Sequence, residues 1–228
     1  MPRPAALPAD PPTDGPDPTL PADPTTGDDL VVGPDGVRRC RWGSGPVVSR
    51  TYHDREWGRP VRGERELYAL LSLQIFQGGL SWLTVLRKRD AFGEAFHDFD
   101  PDRVAAYGDA DVDRLMADPA IIRNRRKIDA AIANARATVA LREDLGLDAL
   151  VWSFAPAARV ERPSPGWRPR SAVEVPSSTP VSALLAGELR SRGFTSVGPV
   201  IAYALMESAG LVDDHLEGCG AERPADAG

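Results

Sequence analysis

The chain of 228 residues is poor in cysteine, in lysine and in long apolar runs, and each shortage excludes something. Two cysteines, Cys40 and Cys219, are too few for the disulfide framework of a small secreted domain. They are free thiols or metal ligands. No stretch of about 18 consecutive apolar residues occurs, and the N-terminus has no charged start followed by an apolar run and a small-residue cleavage site. Neither a membrane span nor a secretory signal is therefore expected, and the default location is cytoplasmic. A strongly basic balance is also missing: the net charge is -6, with a composition 42% hydrophobic and 26% charged that suits a globular protein. Most of the negative excess sits in residues 1–30, where one Arg (Arg3) stands against six Asp, so the remainder is nearly neutral. A neutral domain with locally clustered base remains compatible with DNA binding.

Residues 1–36 repeat Pro, Asp, Ala and Thr with few large apolar side chains, the composition of a disordered acidic tail. Beyond residue 60 the apolar residues recur at helical spacing. Leu67, Leu70, Leu71 and Ile75 form one run, Leu80, Leu83, Val85 and Leu86 the next, and the two meet at Gly78-Gly79. Asp109 can cap a short helix through Met116; Ile128, Ala131, Ile132, Ala135 and Val139 share one face of a long helix; Leu147–Phe154 is another short segment. The Pro/Arg/Ser-rich stretch 156–176 is expected to be a loop or extended arm. A helix capped within Ser177–Thr179 and ended by Gly193 follows, then a last one over about 198–209. With no hairpin signal and no internal repeat, the expectation is one all-α domain over 37–222, with residues 223–228 a disordered C-terminus.

Three histidines are present. Cys40 and His53 lie ahead of the helical region and His215 and Cys219 behind it. Together they have the donor types of a tetrahedral Cys₂His₂ zinc site, whose four protein ligands would make it structural. Spacing alone leaves open two buried thiols and two ordinary histidines. His97, with no cysteine near it, reads as a helix-end or surface residue.

Tyr52, Trp57, Gln74, Gln77, Leu80 and Trp82 concentrate aromatic rings, amides and a glycine pair in a short span. An enzyme acting on a base must extrude it, stack it on rings and bond its edge. Tyr52 and Trp82 can stack, Gln74 can bond an edge, and Leu80 with Gln77 can fill the gap left in the duplex. Aromatic residues at helical positions are equally readable as core. In 121–128, Arg123, Arg125, Arg126 and Lys127 crowd cations at a helix start, where the macrodipole disfavours them and a DNA phosphate would relieve them; a solvated charge run is the alternative. Arg39, Arg41, Arg87, Lys88 and Arg89 are candidates to extend that basic face.

The segments Cys40-Arg41-Trp42-Gly43, 52–58 (Tyr-His-Asp-Arg-Glu-Trp-Gly), Gly79-Leu80-Ser81-Trp82, Val151-Trp152-Ser153-Phe154, Arg192-Gly193-Phe194 and 210–215 (Gly-Leu-Val-Asp-Asp-His) together resemble the DNA-3-methyladenine glycosylase I family, in order from Cys40 to Cys219. The resemblance implies a zinc-containing, helix-hairpin-helix glycosylase fold with metal ligands Cys40, His53, His215 and Cys219. It also implies a base pocket of Tyr52, Trp57, Gln74 and Trp82, a duplex-probing segment at Gln77 and Leu80, and a DNA-anchoring hairpin at 122–128. Gln74 and Tyr52 fall at its catalytic positions. The sequence departs from the pattern at Gln74, where the family usually has glutamate, and at Ser49, where an aromatic residue is common; Ile75 and Phe76 are expected to change the pocket nearby.

The function so implied is hydrolysis of the N-glycosidic bond of an alkylated purine in duplex DNA by a monomer, with one structural Zn2+ per chain. Neither lysine, Lys88 or Lys127, falls in the pocket segment, which argues against a Schiff-base strand cleavage. A variant acting on a different or bulkier lesion, a non-catalytic damaged-DNA binder and a helical protein unrelated to DNA are the alternatives.

Overall fold

The structure is a computed structural model that describes residues 29–164 and 166–221. The expected tail up to Asp28 and the terminal residues 222–228 lie outside them. Two short antiparallel strands, β1 (Leu30–Val32) and β2 (Arg38–Cys40), open the described chain, with Leu30 opposite Cys40. β1 corrects the expectation that 1–36 is all tail. Its three apolar residues precede Gly33-Pro34-Asp35-Gly36, a turn sequence that returns the chain onto itself, with Gly33 N–H donating to Val37 O at 2.8 Å.

The remaining regular elements of the described residues are helices, chiefly α1 (Val47–Arg55), α2 (Glu64–Gln77), α3 (Trp82–Arg87), α4 (Arg89–Ala95), α5 (Pro101–Ala105), α6 (Asp109–Ala117), α7 (Arg125–Leu141), α8 (Gly146–Trp152), α9 (Ala155–Val160), α10 (Pro180–Ser191) and α11 (Pro199–Ser208). Side-chain caps set several starts. Ser81 Oγ accepts from Thr84 N–H at α3, Asn124 Oδ1 from Lys127 N–H at α7, and Thr179 Oγ1 from Ser182 N–H at α10. At α6 the expected cap Asp109 is instead the first helical residue, and Asp111 reaches back to Gly108 N–H at 3.2 Å. The arm expected over 156–176 begins as helix α9, because Ala155-Pro156-Ala157-Ala158 puts proline in the first turn, where its missing N–H costs nothing, among good helix formers.

α2 is the central element. It is buried along most of its length and packs against α7, α8 and α11. Phe76 at its end meets Phe92 at 4.5 Å and Phe96 at 5.7 Å between ring centroids. α7 buries Ile128, Ala131, Ile132 and Ala135, the face the spacing gave. No helix among the described residues is long and apolar enough to cross a membrane. The hairpin, α1 and the segment after α11 gather at one end of this bundle, and that is where the site lies.

Candidate base pocket and metal centre

Residues from the two ends of the domain meet in a small satellite core. The Sγ atoms of Cys40 and Cys219 and a ring nitrogen of His53 all lie within 4.8 Å of one another, and all three residues are buried. His53 Nε2 is 3.6 Å from Cys219 Sγ. Zinc–sulfur and zinc–nitrogen bonds of about 2.3 and 2.0 Å place tetrahedral ligands roughly 3.3–3.8 Å apart, so this donor set and spacing fit such an ion with little movement. The Cys40 thiol and His53 lower the pKa of Cys219, while Cys219 and burial raise that of Cys40. His215 stands beside the group, 4.7 Å from His53 between ring centroids, with its Nε2 3.1 Å from His53 O. It thus lies outside the three-donor cluster.

Both imidazoles are fixed in the same way. His53 Nδ1 bonds Asp54 at 2.8 Å and His215 Nδ1 bonds Asp213 at 2.7 Å. Each carboxylate is held in turn by an arginine, Arg39 on Asp54 at 2.7 Å and Arg168 on Asp213 at 2.9 Å. Burial pushes Asp213 up, but His215 and Arg168 outweigh it and hold the carboxyl at about 2. In His53 the carboxylate-held Nδ1 leaves Nε2 for the thiol cluster, the orientation that metal-binding histidines use, whereas His215 Nε2 is turned to His53 O. Gly43 belongs to this arrangement, since a Cβ there would lie 2.3 Å from the His53 ring. Arg39 is buried in these ion pairs and Arg89 is bound to Glu56 at 2.5 Å, so neither extends a basic face as the sequence suggested.

Next to this cluster is a cavity of about 570 Å³, within the range of small-molecule sites. Tyr52, Trp57, Gln74, Gln77, Leu80 and Trp82 all border it, so the structure brings the sequence-predicted pocket residues together. Tyr52 and Trp82 meet at 5.2 Å between centroids. Trp57 is a shared wall, with its ring edge-on to Trp42 at 4.8 Å and to His215 at 4.6 Å. Gln74 is buried, its Nε2 donates to Ser208 Oγ at 2.6 Å, and Ser208 donates to Ala204 O at 2.7 Å. That leaves the Gln74 carbonyl as its acceptor. Burial raises the Tyr52 pKa, with a hydrogen bond to Ser208 opposing it, so Tyr52 is a phenol that can donate rather than a phenolate. Ser49 also borders the cavity. Ile75 and Phe76 do not: both are buried in the main core, which corrects the expectation that they reshape the pocket.

The sequence reading missed Trp42, Tyr203, Glu207 and Asp214, which also border the cavity. The last three come from α11 and the segment after it, far along the chain. Asp214 is fully buried, 2.7 Å from Arg162 and accepting from Tyr203 Oη at 2.5 Å. Glu207 has no ion-pair partner among the described residues, and its pKa is raised well above the usual value of 4.5, first by burial and then by Asp214. It borders the open cavity and its surface is half-buried. A raised folded-state pKa means that stability conferred by the bound proton is present below the unfolded value and is lost as pH rises toward the folded one. Glu207→Gln should therefore gain melting temperature over the natural protein as pH rises above about 4.5; a difference that does not change with pH would contradict the raised pKa.

At the rim, Gly78-Gly79 turns the chain between α2 and α3, Gly79 at φ 82°, and leaves Leu80 exposed at 44% of its surface. The loop between α6 and α7 carries the cations. Arg123 and Arg126 are exposed and have no partner among the described residues, while Arg125 pairs with Asp129 at 2.9 Å. Lys127 turns inward, its Nζ donating to Phe76 O at 2.8 Å and Gly78 O at 2.6 Å, and so closes the C-terminus of α2. Lys88 likewise binds Ala120 O at 2.8 Å. Both lysines are spent on backbone carbonyls, away from the cavity.

An aromatic cavity of this size, with an exposed leucine at its rim and set in an all-helical domain, has the features of the helical DNA glycosylases, which read a base only after it leaves the stack. Comparison with known proteins narrows that class. Residues 42–223 match the model of the methyladenine glycosylase family. The chain is 41% identical over 185 residues to DNA-3-methyladenine glycosylase 1 of Escherichia coli K12, covering 80% of this chain and 96% of that protein. A crystal structure of 3-methyladenine DNA glycosylase I superposes with a TM-score of 0.74 at 43% identity, covering 79% of this chain and 97% of the other. A tyrosine-to-phenylalanine mutant of such an enzyme, solved in complex with 3-methyladenine, gives 0.73 at 31% identity, over 81% and 97%. The chain belongs to the methyladenine glycosylase family.

Proposed function

We propose that this protein is a monofunctional DNA-3-methyladenine glycosylase of base excision repair, a monomer that hydrolyses the N-glycosidic bond of alkylated adenine in duplex DNA. The observation that carries this reading is the cavity bounded by Tyr52, Trp57, Gln74 and Trp82 in a chain of this family. The extruded base stacks on Tyr52 and Trp82, while the Tyr52 hydroxyl and the Gln74 carbonyl bond its edge. N3-alkylation gives the base a positive charge and makes it a good leaving group, so the protein needs mainly to orient and desolvate it while water attacks C1′. With both lysines held on carbonyls, no amine is placed to attack the sugar, and the product is an intact abasic strand.

Cys40, His53 and Cys219 hold a structural zinc ion, with His215 as the fourth ligand; four protein donors leave no open position, so the ion supplies folding energy and no chemistry. Leu80 and Gln77 fill the gap left in the stack, and the α6–α7 pair with its loop acts as the helix-hairpin-helix that holds the backbone through Arg123, Arg125 and Arg126. Lys127 contributes by fixing the turn that carries Leu80. Arg126→Ala should lower duplex affinity and reduce the salt dependence of binding by about one phosphate contact. Lys127→Met should instead leave that salt slope unchanged and destabilise the fold by about 1 kcal/mol. Titration of labelled duplex at several salt concentrations separates them, and equal slope changes would defeat the distinction.

The test of the function is mass-spectrometric detection of free bases released from methylated duplex DNA by the purified protein. Release of 3-methyladenine with no strand scission is the expected result. Retention of every methylated base under single-turnover conditions would leave a DNA-binding protein without this activity.

A further inference from the structure

The pocket carries an amide at Gln74, where the family resemblance places a carboxylate, yet the cavity does contain carboxyl groups, contributed by its other elements. Glu207 at the end of α11 and Asp214 after it both border the cavity. They are not equivalent. Asp214 has no exposed side-chain surface and is committed to Arg162 at 2.7 Å and Tyr203 at 2.5 Å. Glu207 has no cation of its own among the described residues, and it immediately precedes Ser208, the residue that clamps Gln74. Its carboxyl is hydrogen-bonded to Asp214 and no cation is bound to it directly, so a cationic ligand in the cavity would be its first direct counter-ion.

We propose that Glu207 is the specificity-determining carboxyl of this pocket, selecting bases that carry a positive charge and so replacing, from α11, the charge that Gln74 on α2 cannot supply. The inference rests on the glycosylase reading above for its substrate class. Ordinary adenine is neutral and far more abundant in DNA than any alkylated form, so hydrogen bonds to the base edge, which both share, cannot separate them. Charge can. The charged and titratable groups acting on Glu207 are Asp214, with Arg162 behind it, and the phenols Tyr203 and Tyr52. Burial and the Asp214 carboxyl raise the pKa of Glu207 in the empty pocket, which favours its protonated form. A neutral base leaves that state undisturbed. A cationic base supplies the missing counter-ion, Glu207 ionises, one proton passes to solvent, and a carboxylate–cation contact forms where little water screens it.

The test uses two small probes and the full-length protein: the permanently cationic 3,9-dimethyladeninium ion and neutral 9-methyladenine, titrated while following fluorescence of the pocket tryptophans. The natural protein should bind the cation at least about 30-fold more tightly than the neutral probe, the scale of losing one partner of a buried charge pair. Glu207→Gln, which keeps size and hydrogen-bonding capacity, should collapse that preference to within about threefold, and Gln74→Glu added to it should restore it. Affinity of the natural protein for the cation should also rise with pH by up to about tenfold per unit as one proton is released, and Glu207→Gln should abolish that slope. An unchanged preference and slope in Glu207→Gln, or no binding of either probe by the natural protein, would overturn the proposal. Base release is measured separately: a protein that shows the charge preference but frees no base refutes the glycosylase reading and leaves Glu207 as a charge selector.

Discussion

On the proposed zinc site, Cys219→Ser is expected to abolish metal binding and lower the melting temperature by about 10–20 °C. The size follows from the topology of the cluster. His53 and Cys219 are 166 residues apart, and a cross-link closing a loop of that length removes about 5 kcal/mol of chain entropy from the unfolded state. For a domain of this size, 1 kcal/mol corresponds to about 2–4 °C. Serine keeps the volume but not the soft thiolate donor, so metal content should fall with stability, and the natural protein stripped by a chelator should melt near the variant. Metal analysis and calorimetry on the two proteins check this. Unchanged metal content with an unchanged melting temperature would remove Cys219 from the ligand set.

Asp214→Ala should cost about 3–5 kcal/mol, because it strands Arg162 without its partner. Asp214 is fully buried and Arg162 is 15% exposed, so little water can replace the lost carboxylate. Tyr203 loses its acceptor as well. The loss should be partly recovered by adding Arg162→Met, which removes the uncompensated charge and keeps an apolar stem. Urea unfolding of the single and double variants reads the coupling directly. If Asp214→Ala and Arg162→Met lowered stability additively, the pair would not be a coupled buried unit.

The helices and the pocket were legible because both depend on local pattern. The apolar spacing in α2 and α7 places those helices, and Tyr52, Gln74 and Trp82 fall close together in sequence and border one cavity. Three of the four expected metal ligands converge, since two short segments flanking the helical region hold all of them; His215 stands adjacent with its Nε2 toward His53 O. What could not be read was side-chain direction. Lys127 looked like part of a phosphate-binding run, but only the packed structure shows its Nζ on the carbonyls of Phe76 and Gly78, 51 and 49 positions away. Arg39 appeared to belong to a basic face and is buried between two aspartates. Glu207 carries no local mark, because what makes it unusual is the absence of a counter-ion, a property of every element around it.

The joining of Cys40 and His53 to Cys219 also orders events in time. A chain emerging from the ribosome at about 5–20 residues per second presents Cys219 roughly 8–30 s after His53. For most of that interval α1 is present without the partner that closes it, and the cavity lacks α11 and with it Glu207. The site is therefore closed only after the helices that frame it have been synthesised.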